Sequence, residues 1–183
     1  MPSVMWTRTD GPGMERATLQ SSPTGHRVAG TAILSIDATP YEIRYSVLTD
    51  EQWRTTTVGA HAQMPDGDRR LALSADGTGS WFVGDDPILD LFGAIDVDLG
   101  WTPVTNTLAI RRLGLSVGEE QEITVALIDF PSHEIQRVTQ RYRRLDDSHY
   151  RYSSRDFVVE FEVDEYGLIV DYPGGWERLA TSV

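Results

Sequence analysis

The sequence predicts a mainly β fold built from antiparallel strands, on three observations. From about Val28 to Tyr172, β-branched and aromatic residues alternate with polar ones at period two, the pattern of half-buried strands. The alternating runs are short and separated by turn chemistry, as in Pro65-Asp66-Gly67-Asp68 and Ala75-Asp76-Gly77-Thr78-Gly79, where Pro presets φ and Gly accepts a positive one. The chain has 183 residues, 40% hydrophobic and 24% charged, which is the size and composition of a single domain over residues 1–183.

In chain order the expected strands are Val28 to Ile36, Tyr41 to Leu48, Trp53 to Gln63, Arg69 to Ser74, Ser80 to Val83 and Ile95 to Leu99. The second half continues with Leu108 to Leu115, Glu122 to Phe130, Ile135 to Leu145, Tyr150 to Ser153, Phe157 to Val163 and Leu168 to Tyr172. Asp86 to Phe92 holds Ile88, Leu89, Leu91 and Phe92 without alternation and reads as a short helical turn. Two stretches echo one another: Asp37 to Ile43 resembles Asp129 to Ile135, and Leu73 to Gly79 resembles Phe161 to Gly167. One reading is a duplication with half-repeats at 25–100 and 101–174; the other is ordinary hairpin chemistry recurring.

Composition removes whole classes of mechanism. All 16 basic residues are Arg, and the chain has neither Lys nor Cys, so Schiff-base, P-loop-lysine, thiolate and disulfide chemistry are excluded. With 28 acidic residues the net charge is -12, which disfavours nucleic acid and anionic lipid surfaces. No leader pattern or membrane-length apolar run is present, so a cytoplasmic location without integral membrane association is expected. His26, His61, His133 and His149 lack metal-ligand spacing, and no cofactor signature occurs, so neither a metal nor a cofactor is expected. Arginines from Arg137 to Arg155 interleave with Tyr142, Tyr150 and Tyr152; in so acidic a chain this reads as a solvated strand face rather than a single-strand nucleic-acid platform.

The densest chemistry lies between Gly93 and Leu113. If Ile95 to Leu99 is a strand, Asp96 and Asp98 share one face, about 7 Å apart. Arg111 and Arg112, taken as one on each face of the following strand, are the nearest cations, and Asn106, the sole Asn, lies in the connection. Carboxylates accept while Arg and Asn donate in fixed directions, so the cluster can hold a polyhydroxy group; equally, it can brace a tight crossover as an ion-pair network. A third reading makes the paired carboxylates those of an inverting glycosidase, although two groups on one strand face do not readily flank a sugar ring.

The run Asp96-Val97-Asp98-Leu99, Thr102-Pro103, Thr105-Asn106-Thr107-Leu108 and Ile110-Arg111-Arg112-Leu113 resembles the hallmark of a glycolipid-binding family of bacterial proteins, formerly a domain of unknown function. Supporting matches are Trp53 with Thr55 and Val58, Leu73 to Gly79 with Trp81, Gln140-Arg141-Tyr142 with Leu145, and Asp164 to Gly167 leading to Asp171-Tyr172-Pro173-Gly174, together covering about 25–174. Ala109 departs from the Pro usual there. The resemblance implies a spiral β-roll, two curved sheets around an interior, and an amphipathic ligand such as a glycolipid or lipid-linked sugar. The expected arrangement is non-enzymatic: an apolar tail in the roll interior and a polar head held by Asp96, Asp98, Trp101, Thr105, Asn106, Arg111, Arg112 and Tyr142, with Trp101 and Tyr142 as stacking surfaces. The alternatives are a filled core whose function lies in a protein contact, and the hydrolase.

Overall fold

The computed structural model describes residues 1–182. Its strands, in chain order, are β1 (Ser3–Arg8), β2 (Gly13–Ser22), β3 (Gly25–Ile36), β4 (Thr39–Thr49), β5 (Thr55–Gln63), β6 (Arg69–Ala75), β7 (Trp81–Val83), β8 (Asp86–Pro87) and β9 (Asp96–Leu99). After helix α1 (Thr105–Leu113) come β10 (Glu120–Ile128), β11 (Ile135–Arg144), β12 (His149–Ser154), β13 (Phe157–Val163), β14 (Ile169–Tyr172) and β15 (Trp176–Ser182). The expected helical turn between β8 and β9 is a 3-10 turn at Leu89–Leu91.

All fifteen strands form one sheet, ordered β8 to β1, then β15 to β9. Successive strands pair as antiparallel hairpins, and the chain ends join where β1 pairs with β15. Among the described residues the single parallel pair is β9 with β10, which requires a crossover, and α1 is that crossover. The sheet curls far enough for β5 and β9, near its opposite ends, to touch: Thr55 N–H reaches Ile95 O at 3.3 Å and Val97 N–H reaches Thr55 Oγ1 at 3.2 Å. This is the expected mainly β roll, with one continuous sheet supplying both walls.

The inward row of each strand makes one core, in which Trp6 and Trp81 are fully buried and place their indole N–H groups on Ile169 O and Ala94 O, both at 2.8 Å. The echoed stretches fall at corresponding steps of the two meanders: the β3–β4 and β10–β11 turns, and the β6–β7 and β13–β14 turns. In the second pair the chemistry is the same, since Asp76 Oδ1 accepts from Thr78 and Ser80 N–H, and Asp164 Oδ1 from Tyr166 and Leu168 N–H.

Two expectations are corrected. The chain is strand-rich well before Val28 and after Tyr172, because β1, β2 and β15 form the middle of the sheet. Leu108 to Leu115 is no strand; Thr105–Leu113 is α-helical. Its start follows Pro103, its end is Gly114 in the left-handed conformation (φ 55°, ψ 35°) with its N–H on Ile110 O, and Arg111 and Arg112 occupy the last turn, where cations favour the helix dipole.

Candidate functional site

Helix α1 lies in the roll, with Leu108 and Ala109 buried among sheet side chains. The interior expected to take an apolar tail is occupied here by the helix itself. Asp96 and Asp98 do share one face of β9, as alternation requires, and that face is turned to α1, one carboxylate at each end of the helix. Asp96 is 1% exposed and accepts from Arg112 Nε at 2.7 Å and Nη2 at 2.6 Å. Burial pushes its pKa up and the guanidinium pulls it back. Asp98, half-buried, accepts from Thr105 Oγ1 at 3.0 Å and Gln140 Nε2 at 2.6 Å, and burial likewise raises its pKa against those two bonds. The two acids thus have separate partners, and the facing-carboxylate geometry of a glycosidase has no counterpart in their arrangement.

Asn106, on the first turn of α1, donates to Pro103 O at 3.0 Å and accepts from the buried Tyr142 hydroxyl at 2.9 Å. Tyr142 meets Tyr152 edge to face, 5.2 Å between ring centres, so it is a core contact rather than a stacking surface. Trp101 is also corrected in this respect. At 3% exposure it packs against Tyr45 and Phe130. Asp98, Thr105, Asn106 and Tyr142 therefore stand together, Asp96 and Arg112 form a brace, and Trp101 and Arg111 go elsewhere.

Arg111, one residue before Arg112 but about 100° around the helix, is exposed and faces a surface cavity of about 330 Å³ at the C-terminal end of α1. Trp53, Ile110, Arg144, Tyr150, Val163 and Gly167 line it with Arg111. The Arg111 guanidinium sits 5.4 Å from the Trp53 ring centre, and its single polar contact is 3.4 Å long, to Glu165 O. Arg144 sits 5.9 Å over Tyr150 and donates to three backbone carbonyls, of Leu115, Asp146 and Asp147. Trp53 holds a φ of +66°, unfavourable for a bulky side chain, and the β4–β5 turn enforces it. Asp50 Oδ1 accepts from Gln52 and Arg54 N–H there, and the Trp53 ring stacks on His26 with centres 3.6 Å apart.

Sequence reasoning passed over the partners of these groups. Gln140 and Trp53 were visible as supporting matches; Arg144 and Tyr150 lay in the Arg/Tyr stretch. There the rings point inward and the arginines outward, where Arg141 pairs with Glu122 and Arg151 with Glu160. Glu15 gave no signal at all. It is 1% exposed on β2 and accepts from the hydroxyls of Tyr45 and of Thr102, the latter at 2.7 Å, which ties β2 to the segment leading into α1. Burial pushes its pKa up to about 8 despite those bonds.

Among the described residues no group of three or more His, Asp or Glu could hold a metal ion, and no helix is long and apolar enough to cross a membrane. The model of a family described as "Putative glycolipid-binding" matches residues 3–178, extending the region of resemblance to include β1, β2 and the first residues of β15. The crystal structure of a DUF1089 family protein from Pseudomonas aeruginosa is similar over 94% of this chain and 95% of that one, with 34% identity and a TM-score of 0.85. No curated protein matches.

Proposed function

The chain belongs to the glycolipid-binding family, and we propose that it binds an amphipathic, sugar-bearing lipid without transforming it, holding the polar head in the cavity at the C-terminal end of α1. The observation that carries this reading is Arg111: an exposed guanidinium poised over an indole, with almost all its donors unspent, at the mouth of a cavity. A guanidinium with free N–H groups donates to ring hydroxyls or a linking phosphate in fixed directions. Backbone carbonyls of the β13–β14 turn and the carboxylates of Asp147 and Glu165 offer acceptors, while Ile110, Val163 and Tyr150 give an apolar floor. The strained Trp53 supports the same reading, since a costly backbone conformation persists where the surrounding fold imposes it.

In this reading Asp98, Thr105, Asn106 and Tyr142 shape the helix from within, Asp96 and Arg112 lock it, and only Arg111 of the expected group reaches for the head. The filled interior beside α1 favours one alternative, a structural network with function in a protein contact. Purification followed by native mass spectrometry, solvent extraction and lipid analysis separates the two. A recurrent stoichiometric adduct that yields a sugar-bearing lipid is expected; a clean apo mass after incubation with total lipid extract would support the protein-contact reading.

A further inference from the structure

Outward arginines are treated differently in the two halves of the sheet. In the second half they face carboxylates across the strands: Arg141 stands directly opposite Glu122 and pairs with it at 2.9 Å, and Arg151 opposite Glu160 at 2.6 Å. In the first half the register lines up Arg16, Thr31, Arg44, His61 and Arg70 as one row across β2 to β6, with no carboxylate in it. At a strand spacing of about 4.8 Å the row runs about 19 Å. Glu42 is the only acid among the outward positions of these five strands, and it pairs with Arg44 at 2.7 Å, while His61 meets Asp68 of the β5–β6 turn at 2.8 Å. Arg16 and Arg70 are exposed and have no side-chain partner among the described residues.

The surroundings of the row are recessed on one side and apolar on the other. Gly59 stands in register between Ser46 and Ala72, and with no side chain there a hollow of about 480 Å³ opens between Arg44, His61 and Arg70. It shares no lining residue with the Arg111 cavity. Across the row lies the cross-strand pair Met14 and Ile33, 41% and 60% exposed.

We propose that this outer face of β2 to β6 docks on the surface of an anionic lipid bilayer. Arg16, Arg44 and Arg70 take lipid phosphates, which the guanidinium fork matches with two parallel hydrogen bonds. The hollow over Gly59 seats a headgroup, and Met14 and Ile33 enter the boundary with the acyl chains. No outward position of these strands is aromatic, so the face lacks the stacking platforms of a single-strand nucleic-acid site. The net charge of -12 does not oppose such docking at contact range, because exposed charges more than about 8 Å away are largely screened at physiological ionic strength and the local row decides.

The test is co-sedimentation of the full chain with vesicles of phosphatidylcholine alone and of phosphatidylcholine with one third phosphatidylglycerol, at low and at high salt. Binding to the anionic vesicles only, released by salt, is expected. An arginine near such a surface is worth about fivefold in binding, so Arg70→Gln should bind about fivefold more weakly and the triple variant Arg16→Gln, Arg44→Gln, Arg70→Gln about a hundredfold. Ile33→Ser weakens binding and leaves its salt dependence unchanged. Arg151→Gln, on the charge-paired half, binds as wild type does. Failure of the wild type to sediment with anionic vesicles at low salt, equal sedimentation with both vesicle types, or unweakened binding by the arginine variants overturns the proposal. Capture of oligothymidylate without any vesicle binding overturns it too and assigns the face to nucleic acid. Arg70→Gln, a change at one exposed side chain, keeps the face under test even if the triple variant fails to fold.

Discussion

Arg112 grips the buried carboxylate of Asp96 through two hydrogen bonds of 2.7 and 2.6 Å, while Arg111 beside it in sequence makes one polar contact at 3.4 Å. Adjacent residues of one type thus hold opposite offices, one inside the fold and one facing solvent. The helix decides this, because neighbouring positions on it diverge by about 100°.

Arg112→Ala strands the Asp96 carboxylate, which is 1% exposed, and should destabilise the fold by about 3–5 kcal/mol. Arg111→Ala removes an exposed side chain and should change stability by less than about 1 kcal/mol. Urea denaturation of the two variants, with m-values compared, measures both.

Much of this was legible in advance, and the failures have physical causes. The period-two pattern located most hairpins, and placing Asp96 and Asp98 on one strand face was correct because β9 is extended. The helix escaped because Leu108 and Ile110 also alternate; the bracket of Pro103 and Gly114 was the signal for it, and a parallel pairing of β9 with β10 cannot be read from local pattern. Without the helix, the divergence of Arg111 from Arg112 could not be seen. Glu15 was hidden because the inward row of β2 is Glu15, Ala17 and Leu19, with Met14 outward, so a buried acid inverts the expected pattern.

Stability should fall with rising pH through Glu15. Its folded-state pKa, about 8, lies above the ordinary 4.5, so the folded protein keeps a proton that the unfolded chain releases. The native state is favoured below pH 4.5 and loses that advantage up to about pH 8, by about 5 kcal/mol at most. Glu15→Gln cannot ionise, so its stability should rise relative to wild type across this window. Parallel melting curves from pH 5 to about 8 test the sign, and a constant difference would contradict it.

Gly30 faces Tyr45 across β3 and β4, and a Cβ there would lie 2.5 Å from the Tyr45 hydroxyl and 2.9 Å from Arg16 O. Gly30→Ala should therefore displace Tyr45 and cost about 1–3 kcal/mol. A loss of that size in chemical denaturation, together with a changed Tyr45 resonance, is expected.

Trp53→Gly removes both the ring and the strain of φ +66°. Relief of about 1–3 kcal/mol offsets lost packing, so the melting temperature should change little while retention of the head falls. Differential scanning calorimetry beside lipid co-purification separates the two effects.

The most direct test of the central claim is native mass spectrometry of wild type, Arg111→Ala and Arg27→Ala, each loaded from the same lipid extract; Arg27 is an exposed arginine outside the cavity. The account predicts a stoichiometric lipid adduct on wild type and Arg27→Ala, and its loss from a folded Arg111→Ala. Equal adduct on all three would contradict it.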